Sequence, residues 1–74
     1  MKRNAKNRVG PQIRRIRYQK QMTQETLAAR CNRLGWDISR GTLAKIEAQV
    51  RCISDTEIEI LGKALSVTLD ELFK

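Results

Sequence analysis

Histidine is absent from this 74-residue sequence, and cysteine, proline and the aromatic residues are scarce. Without histidine, the chain lacks the commonest metal ligand and the commonest general acid and base. The two cysteines, Cys31 and Cys52, form no CxxC pair and are too few for a structural zinc site. We therefore expect free thiols in a reducing cytoplasm, and we expect neither an enzyme nor a metal or cofactor site.

Long apolar runs are also missing, because the longest run of apolar side chains is 27–29. No segment is expected to span a bilayer, and the basic start of the chain leads into no apolar signal region. A chain of this length allows one small domain with a thin margin of stability. Its composition, 41% hydrophobic and 31% charged residues, is typical of a globular domain.

Positive charge is abundant and unevenly distributed. The chain has 15 Lys and Arg against 8 Asp and Glu, which gives a net charge of +7. Residues 1–20 carry eight basic side chains and no acidic one, whereas residues 55–74 carry two basic and five acidic ones. One end of the molecule should therefore attract a polyanion while the other repels it. Nucleic acid is the first candidate partner, and no small-molecule substrate is expected.

Helix signals follow one another along most of the chain, and no window indicates a β-strand. We expect a flexible basic arm over residues 1–10 and a single domain over residues 11–74. Pro11 is suited to the first turn of a helix, and four later helices follow good N-cap residues and show apolar side chains at helical spacing. The predicted helices cover residues 11–20, 24–34, 40–48, 55–65 and 69–73. The predicted fold class is an all-α, compact bundle of five short helices.

The predicted helix 40–48 has an apolar side and a polar side. Such a helix fits the major groove of B-DNA, where its first turns lie next to the base edges. Arg40 and Lys45 can reach guanine O6 and N7 from the polar side. Gly41 and Ala44 are small enough to allow close approach and contact with a thymine methyl group. The sequence therefore favours binding to double-stranded DNA.

Several spaced blocks resemble the phage-repressor and Cro type of helix-turn-helix regulator, the xenobiotic-response-element family. These blocks are residues 24–29, 38–47 and 63–73, and residues 13–17 are similar to the family's first helix. The resemblance covers about residues 11–73. It implies a lambda-repressor-like DNA-binding domain in which the second and third helices form the helix-turn-helix.

The resemblance also implies roles for individual residues. Gln24 matches a position at the start of the second helix that contacts backbone phosphate, and Arg51 matches a backbone-contacting position in the loop after the third helix. Arg17 and Glu47 match an ion pair that links the first helix to the third, so we assign both to structure. The recognition-helix positions that face bases are matched by Arg40, Gly41, Ala44 and Lys45. Thr42 matches a position that can contact base or phosphate.

The sequence departs from the family pattern at each end of the third helix. About five additional residues, 33–37, precede the cap of that helix, so either the second helix is longer or the turn is larger. Gln49 stands where a glycine commonly ends the helix. A left-handed backbone at that position would cost a non-glycine residue about 1 kcal/mol.

The leading hypothesis is a sequence-specific, double-stranded-DNA-binding transcriptional regulator that acts as a repressor. The alternative is a protein-interaction or antitoxin-like module on the same scaffold with weak DNA binding. An RNA-binding protein ranks lower because the chain offers few aromatic side chains for base stacking. A homodimer is compatible with the sequence, since it would place two recognition helices about one DNA turn apart, and residues 67–73 are the first candidate for its surface.

Overall fold

Five helices make up most of residues 5–74, the part of the chain that the computed structural model describes. They are α1 (Gly10–Gln19), α2 (Gln24–Arg33), α3 (Arg40–Glu47), α4 (Asp55–Leu65) and α5 (Leu69–Leu72). Within these residues there is no β-strand, and the predicted all-α class is confirmed. Each predicted helix end lies within one residue of the observed end. Over the same residues, no helix combines the length and the apolar character that crossing a bilayer requires.

Side-chain caps fix the starts of four helices, as the sequence predicts. In each case the side-chain oxygen of the cap accepts a hydrogen bond from the backbone N–H three residues ahead. The cap residues are Thr23, Ser39, Ser54 and Thr68. Glu57 and Glu71 also accept hydrogen bonds from the backbone N–H groups of Ser54 and Thr68, which completes two capping boxes. The helix boundaries are therefore set by local hydrogen bonds.

The apolar sides of the helices meet in one core. α2 packs against α3 and α4, α1 packs against α3, and α5 packs against α4. Burial in this core raises the pKa of the Cys31 thiol to about 11, whereas Cys52 is exposed after α3, and both thiols are free. The largest fully buried side chains are Ile13, Leu27, Leu43, Ile46, Leu61, Leu65 and Leu72, together with Val9 and Cys31.

The start of the chain is packed from Asn7 onward, which corrects the prediction of a flexible arm over residues 1–10. Residues 1–4 lie outside the described residues. Val9 is fully buried in the core, and α1 already begins at Gly10. The segment is polar overall, but the buried side chains of Val9 and Asn7 attach it to the domain.

Asn7 connects this segment to the last turn of α3 and to the loop after it by hydrogen bonds. Its Nδ2 donates to the backbone carbonyl groups of Ile46 (3.0 Å) and Arg51 (2.9 Å). Its Oδ1 accepts a hydrogen bond from the backbone N–H of Gly10 (2.7 Å). The buried amide thus connects the start of α1 to the last turn of α3 and to the loop that follows it.

A large turn connects α2 to α3, and α2 itself ends at Arg33. Gly35 has a φ of +97°, a conformation that favours glycine. Asn32 donates from Nδ2 to the carbonyl groups of Trp36 (2.8 Å) and Ile38 (3.1 Å), which holds the turn together. Trp36 is half-buried and packs against the core. Of the additional residues 33–37, Arg33 therefore ends α2 and the other four lie in the turn.

Gln49 follows the C-cap residue of α3 and has the left-handed backbone conformation, with a φ of +66°. Its carbonyl group accepts a hydrogen bond from the backbone N–H of Lys6 (2.9 Å), and its Nε2 donates to the carbonyl group of Asn7 (3.0 Å). These bonds to the N-terminal segment help to offset the strain of a non-glycine residue at this position.

Gly10 is expected to tolerate no side chain, because α1 lies against the last turn of α3. A Cβ atom at Gly10 would overlap the carbonyl oxygen of Ile46 and lie 2.9 Å from that of Glu47. We expect Gly10→Ala to lower the free energy of unfolding by about 1–3 kcal/mol. The matched control is Gly41→Ala, since a Cβ there would lie 3.9 Å from Ser39 Oγ, an ordinary contact, and should raise stability by up to about 1 kcal/mol. Urea unfolding followed by circular dichroism measures both variants, and equal responses would contradict the close packing.

Candidate nucleic-acid interface

α3 is packed on one side and exposed on the other. Its buried residues are Leu43, Ile46 and Glu47. Because successive residues turn by about 100° around an α-helix, Gly41 and Lys45 lie on the side opposite these three. Both are exposed. The exposed face of α3 therefore consists of a position without a side chain and a long cationic side chain one turn further on.

The two flanks of α3 differ from each other. Arg40 is exposed and Ala44 is half-buried on the flank that faces α1 and the start of α2, where both border an open groove. Thr42 lies on the other flank, and its Oγ1 accepts a hydrogen bond from Ser39 Oγ (3.1 Å). All five α3 residues that the sequence predicts for DNA contact thus reach the surface, although they face three different directions.

A buried ion pair joins the last turn of α3 to α1. Arg17 donates from Nε to Oε2 of Glu47 (2.8 Å) and from Nη2 to Oε1 (3.0 Å), a bidentate arrangement. Arg17 also donates from Nη1 to the carbonyl group of Met22 (2.9 Å). Arg17 and Glu47 are 5% and 7% exposed. The hydrogen bond with Glu47 raises the pKa of Arg17, so the guanidinium group stays charged despite its burial.

Gln24 belongs to the same polar cluster. Its Nε2 donates to Oε1 of Glu47 (3.1 Å), which connects the first turn of α2 to the ion pair. The half-buried side chain also lines the groove beside α3. A phosphate contact by Gln24 stays a prediction, and it would use the second hydrogen of an amide that already supports Glu47.

Arg51 already has a carboxylate partner. Its Nη1 and Nη2 donate to the two carboxylate oxygens of Glu57 at 3.1 and 3.2 Å, and Nη1 also donates to the carbonyl group of Cys52 (2.9 Å). These bonds raise the pKa of Arg51 and lower the pKa of Glu57. The Arg51 side chain is partly exposed. Its predicted contact with the DNA backbone stays a prediction, in which phosphate and Glu57 share one guanidinium group.

The open groove beside α3 also contains side chains that sequence analysis did not select. We call it the α1–α3 groove: Arg14, Arg17 and Tyr18 line it from α1, and the start of α2 and the flank of α3 form the rest. It has a volume of about 500 Å³. The guanidinium carbon atoms of Arg14 and Arg17 lie 5.5 and 4.7 Å from the ring centroid of Tyr18. The four-residue spacing of Arg14 and Tyr18 was the available signal, because residues four apart share one side of a helix.

Comparison with known families identifies the class of protein. The helix-turn-helix family matches residues 13–72 of the chain. The chain therefore belongs to the helix-turn-helix family, and the resemblance to phage-repressor and Cro-type regulators is confirmed. It is a DNA-binding regulator and not an enzyme. Among curated proteins, none matches the chain significantly.

Two solved structures of controller proteins are similar to this chain over most of their length. The restriction-modification controller protein C.AhdI from Aeromonas hydrophila has 31% sequence identity and a TM-score of 0.78, and the match covers 88% of this chain and 87% of that one. The restriction-modification controller protein C.Esp1396I was solved as a tetramer in complex with its natural 35 base-pair operator. It has 30% identity and a TM-score of 0.70, and the match covers 89% of this chain and 91% of that one.

Breaking the buried ion pair from one side should destabilise the domain strongly. Glu47→Gln leaves the Arg17 cation buried without its counter-charge, and we expect a loss of about 3–5 kcal/mol in the free energy of unfolding. Glu59→Gln, on the exposed side of α4, is the matched control and should change stability little. Thermal unfolding at neutral pH compares the two. The double variant Arg17→Met/Glu47→Leu should recover much of the loss, and a double variant as unstable as Glu47→Gln would contradict the role of the unpaired charge.

The Arg51–Glu57 pair should make stability depend on pH in the acidic range. The pKa of Glu57 is lowered in the folded state by Arg51, so its charged form stabilises the fold above its ordinary pKa of 4.5. That stabilisation is lost as the pH falls through the lowered pKa. Glu57→Gln should therefore be less stable than wild type at pH 7, and the difference should shrink below about pH 4.5. Urea unfolding between pH 7 and pH 3 measures this difference, and a constant difference across that range would rule out the pair as its source.

Proposed function

We propose that this chain is a transcriptional repressor that recognises a specific double-stranded DNA sequence by inserting α3 into the major groove. The observation that carries the proposal is the exposed face of α3, with Gly41 and Lys45 at its centre and Arg40 at its N-terminal end. An α-helix with its side chains is about 10–12 Å across, and the major groove of B-DNA is about 12 Å wide. α3 can therefore enter the groove with its packed side still attached to the domain.

Lys45 is the first candidate for direct base recognition. It lies at the centre of the exposed face, and a lysine ammonium group can donate to guanine O6 and N7. The missing side chain at Gly41 lets the helix approach the bases closely. Arg40 and Thr42 lie on opposite flanks, within reach of base edges or of the strands that border the groove, and Ala44 offers a methyl group beside Arg40.

The distribution of charge favours one orientation on DNA. The α3 side carries Arg40 and Lys45, neither of which has a carboxylate within 4.0 Å among the described residues. Gln24 and Arg51 supply further donors for backbone phosphate. The exposed acidic side chains of α4 and α5, which phosphate would repel, are Asp55, Glu59, Asp70 and Glu71.

Similarity to two restriction-modification controllers supports an operator as the target. One of them, C.Esp1396I, was solved as a tetramer on its operator. We infer that the present chain likewise regulates genes of a restriction-modification system and binds its operator as an assembly of homodimers. Residues 67–73 are the candidate dimer surface, since Leu69 and Phe73 are 43% and 44% exposed there. DNA binding and two unpaired thiols agree with a cytoplasmic location.

Lys45→Ala should relax the sequence preference of the protein at one base-pair position. Selection from a random duplex library at physiological salt first identifies the preferred sequence. Lys45→Ala should then lose about 1–3 kcal/mol of discrimination at one base pair, because it removes a direct donor to the base edge. The matched control is Lys63→Ala, which removes an exposed lysine from the last turn of α4 and should leave discrimination unchanged.

Two outcomes would contradict this proposal. If Lys45→Ala and Lys63→Ala weaken binding equally on every sequence, α3 does not read bases through Lys45. If the wild-type protein enriches no sequence from the library and shows weak binding with a small salt dependence, the scaffold serves as a protein-interaction or antitoxin-like module instead.

A further inference from the structure

Arg14 and Tyr18 lie in the α1–α3 groove, to one side of the exposed face of α3, and neither takes part in the hydrogen bonds between Arg17 and Glu47. We propose that these two α1 residues form a binding site for a DNA backbone phosphate, on the strand that borders α3. This inference rests on the proposed function, because it requires α3 to lie in the major groove. It extends the DNA interface onto α1, beyond the residues predicted from the sequence.

The charge balance of the groove leaves cations available for a ligand. Arg17 and Glu47 neutralise each other through their bidentate hydrogen bonds. Arg14 and Arg40 also line the groove, and among the described residues neither has a carboxylate within 4.0 Å. Glu25 is the remaining acidic side chain there, in the first turn of α2. The groove therefore has a net positive charge once the buried pair is formed.

Tyr18 supplies an exposed hydroxyl group beside these cations. Its side chain is 60% exposed, and the Arg14 and Arg17 guanidinium groups lie next to its ring. These neighbours, Arg14 first, lower the pKa of the Tyr18 hydroxyl group. A phenol next to two cations is a stronger hydrogen-bond donor to an anion. Guanidinium and phenol donors in one open groove match the oxygens of a phosphodiester group.

The position of the groove indicates that its ligand is the DNA backbone and not a base. Gly41 and Lys45 define the direction in which α3 faces the bases, and the α1–α3 groove lies to one side of that direction, along the flank of Arg40 and Ala44. When a helix occupies the major groove, the sugar–phosphate strands run along its two flanks. One strand should therefore pass the α1–α3 groove, where Arg14 and Tyr18 meet it.

Salt titrations of two α1 variants test this site. On the preferred duplex, Arg14→Gln should reduce the slope of log K against log[salt] by about 0.9, the value for one phosphate contact. Tyr18→Phe keeps the ring but loses the hydroxyl group, so affinity should fall roughly threefold to tenfold with an unchanged slope. The control is Arg33→Gln, which removes an exposed arginine at the end of α2, outside the groove. This control should leave the slope closer to that of the wild type.

Neutral phosphate analogues identify the contact directly. Single methylphosphonate substitutions are placed along each strand of the duplex, and one position should weaken wild-type binding but weaken Arg14→Gln no further. If Arg14→Gln and Arg33→Gln lower the slope equally, or if no methylphosphonate position distinguishes wild type from Arg14→Gln, the site is refuted while the proposed function stands. If the wild-type protein binds no duplex, both proposals fail. Circular dichroism confirms that each variant is folded, as expected for exposed side chains.

Discussion

The geometry of the proposed DNA-binding surface depends on the buried pair of Arg17 and Glu47. α3 has only eight residues, and an isolated helix of this length is not stable in water, so its position must come from its neighbours. Arg17 belongs to α1, Glu47 to α3 and Gln24 to α2, and their hydrogen bonds join the three helices at one point. Among the described residues, no buried side-chain nitrogen or oxygen lacks a hydrogen-bond partner. The burial of charge is thus compensated by hydrogen bonds and by the counter-charge.

A second set of contacts, from the start of α1 and the residues before it, holds the same end of α3. Asn7 binds the carbonyl group of Ile46, and Gly10 allows α1 to touch the last turn of α3. The family match begins at residue 13, so Asn7 and Gly10 lie outside the matched region. Two sets of contacts therefore meet at the C-terminal end of α3. The N-terminal end of α3 is instead held by the local cap that Ser39 forms with the backbone N–H of Thr42.

Sequence reasoning predicted the features that depend on neighbouring residues. Cap residues such as Ser54 and Thr68 act within one turn, so they fixed the helix boundaries to within one residue. Contacts between segments that are distant in the sequence were not predicted from local patterns. Asn7 meets Ile46 across 39 residues, in a polar segment that gave no helix signal. Arg51 binds Glu57 across a loop. The conformation of that loop follows from no periodic pattern in the sequence. The family resemblance supplied the Arg17–Glu47 pair, which periodicity alone does not reveal.

The buried pair also has an electrostatic consequence for DNA binding. Glu47 lines the α1–α3 groove, on the same side of the molecule as Arg40. If Glu47 had no cationic partner, its carboxylate would repel the phosphate strand that the proposal places beside α3. The residue that anchors the helix would then weaken the binding of DNA. Arg17 removes this repulsion because its guanidinium group binds both carboxylate oxygens. In the proposed complex, Arg14, Arg40 and Lys45 are then among the exposed cations that face DNA. The residues that hold α3 in place therefore also keep its surroundings positive.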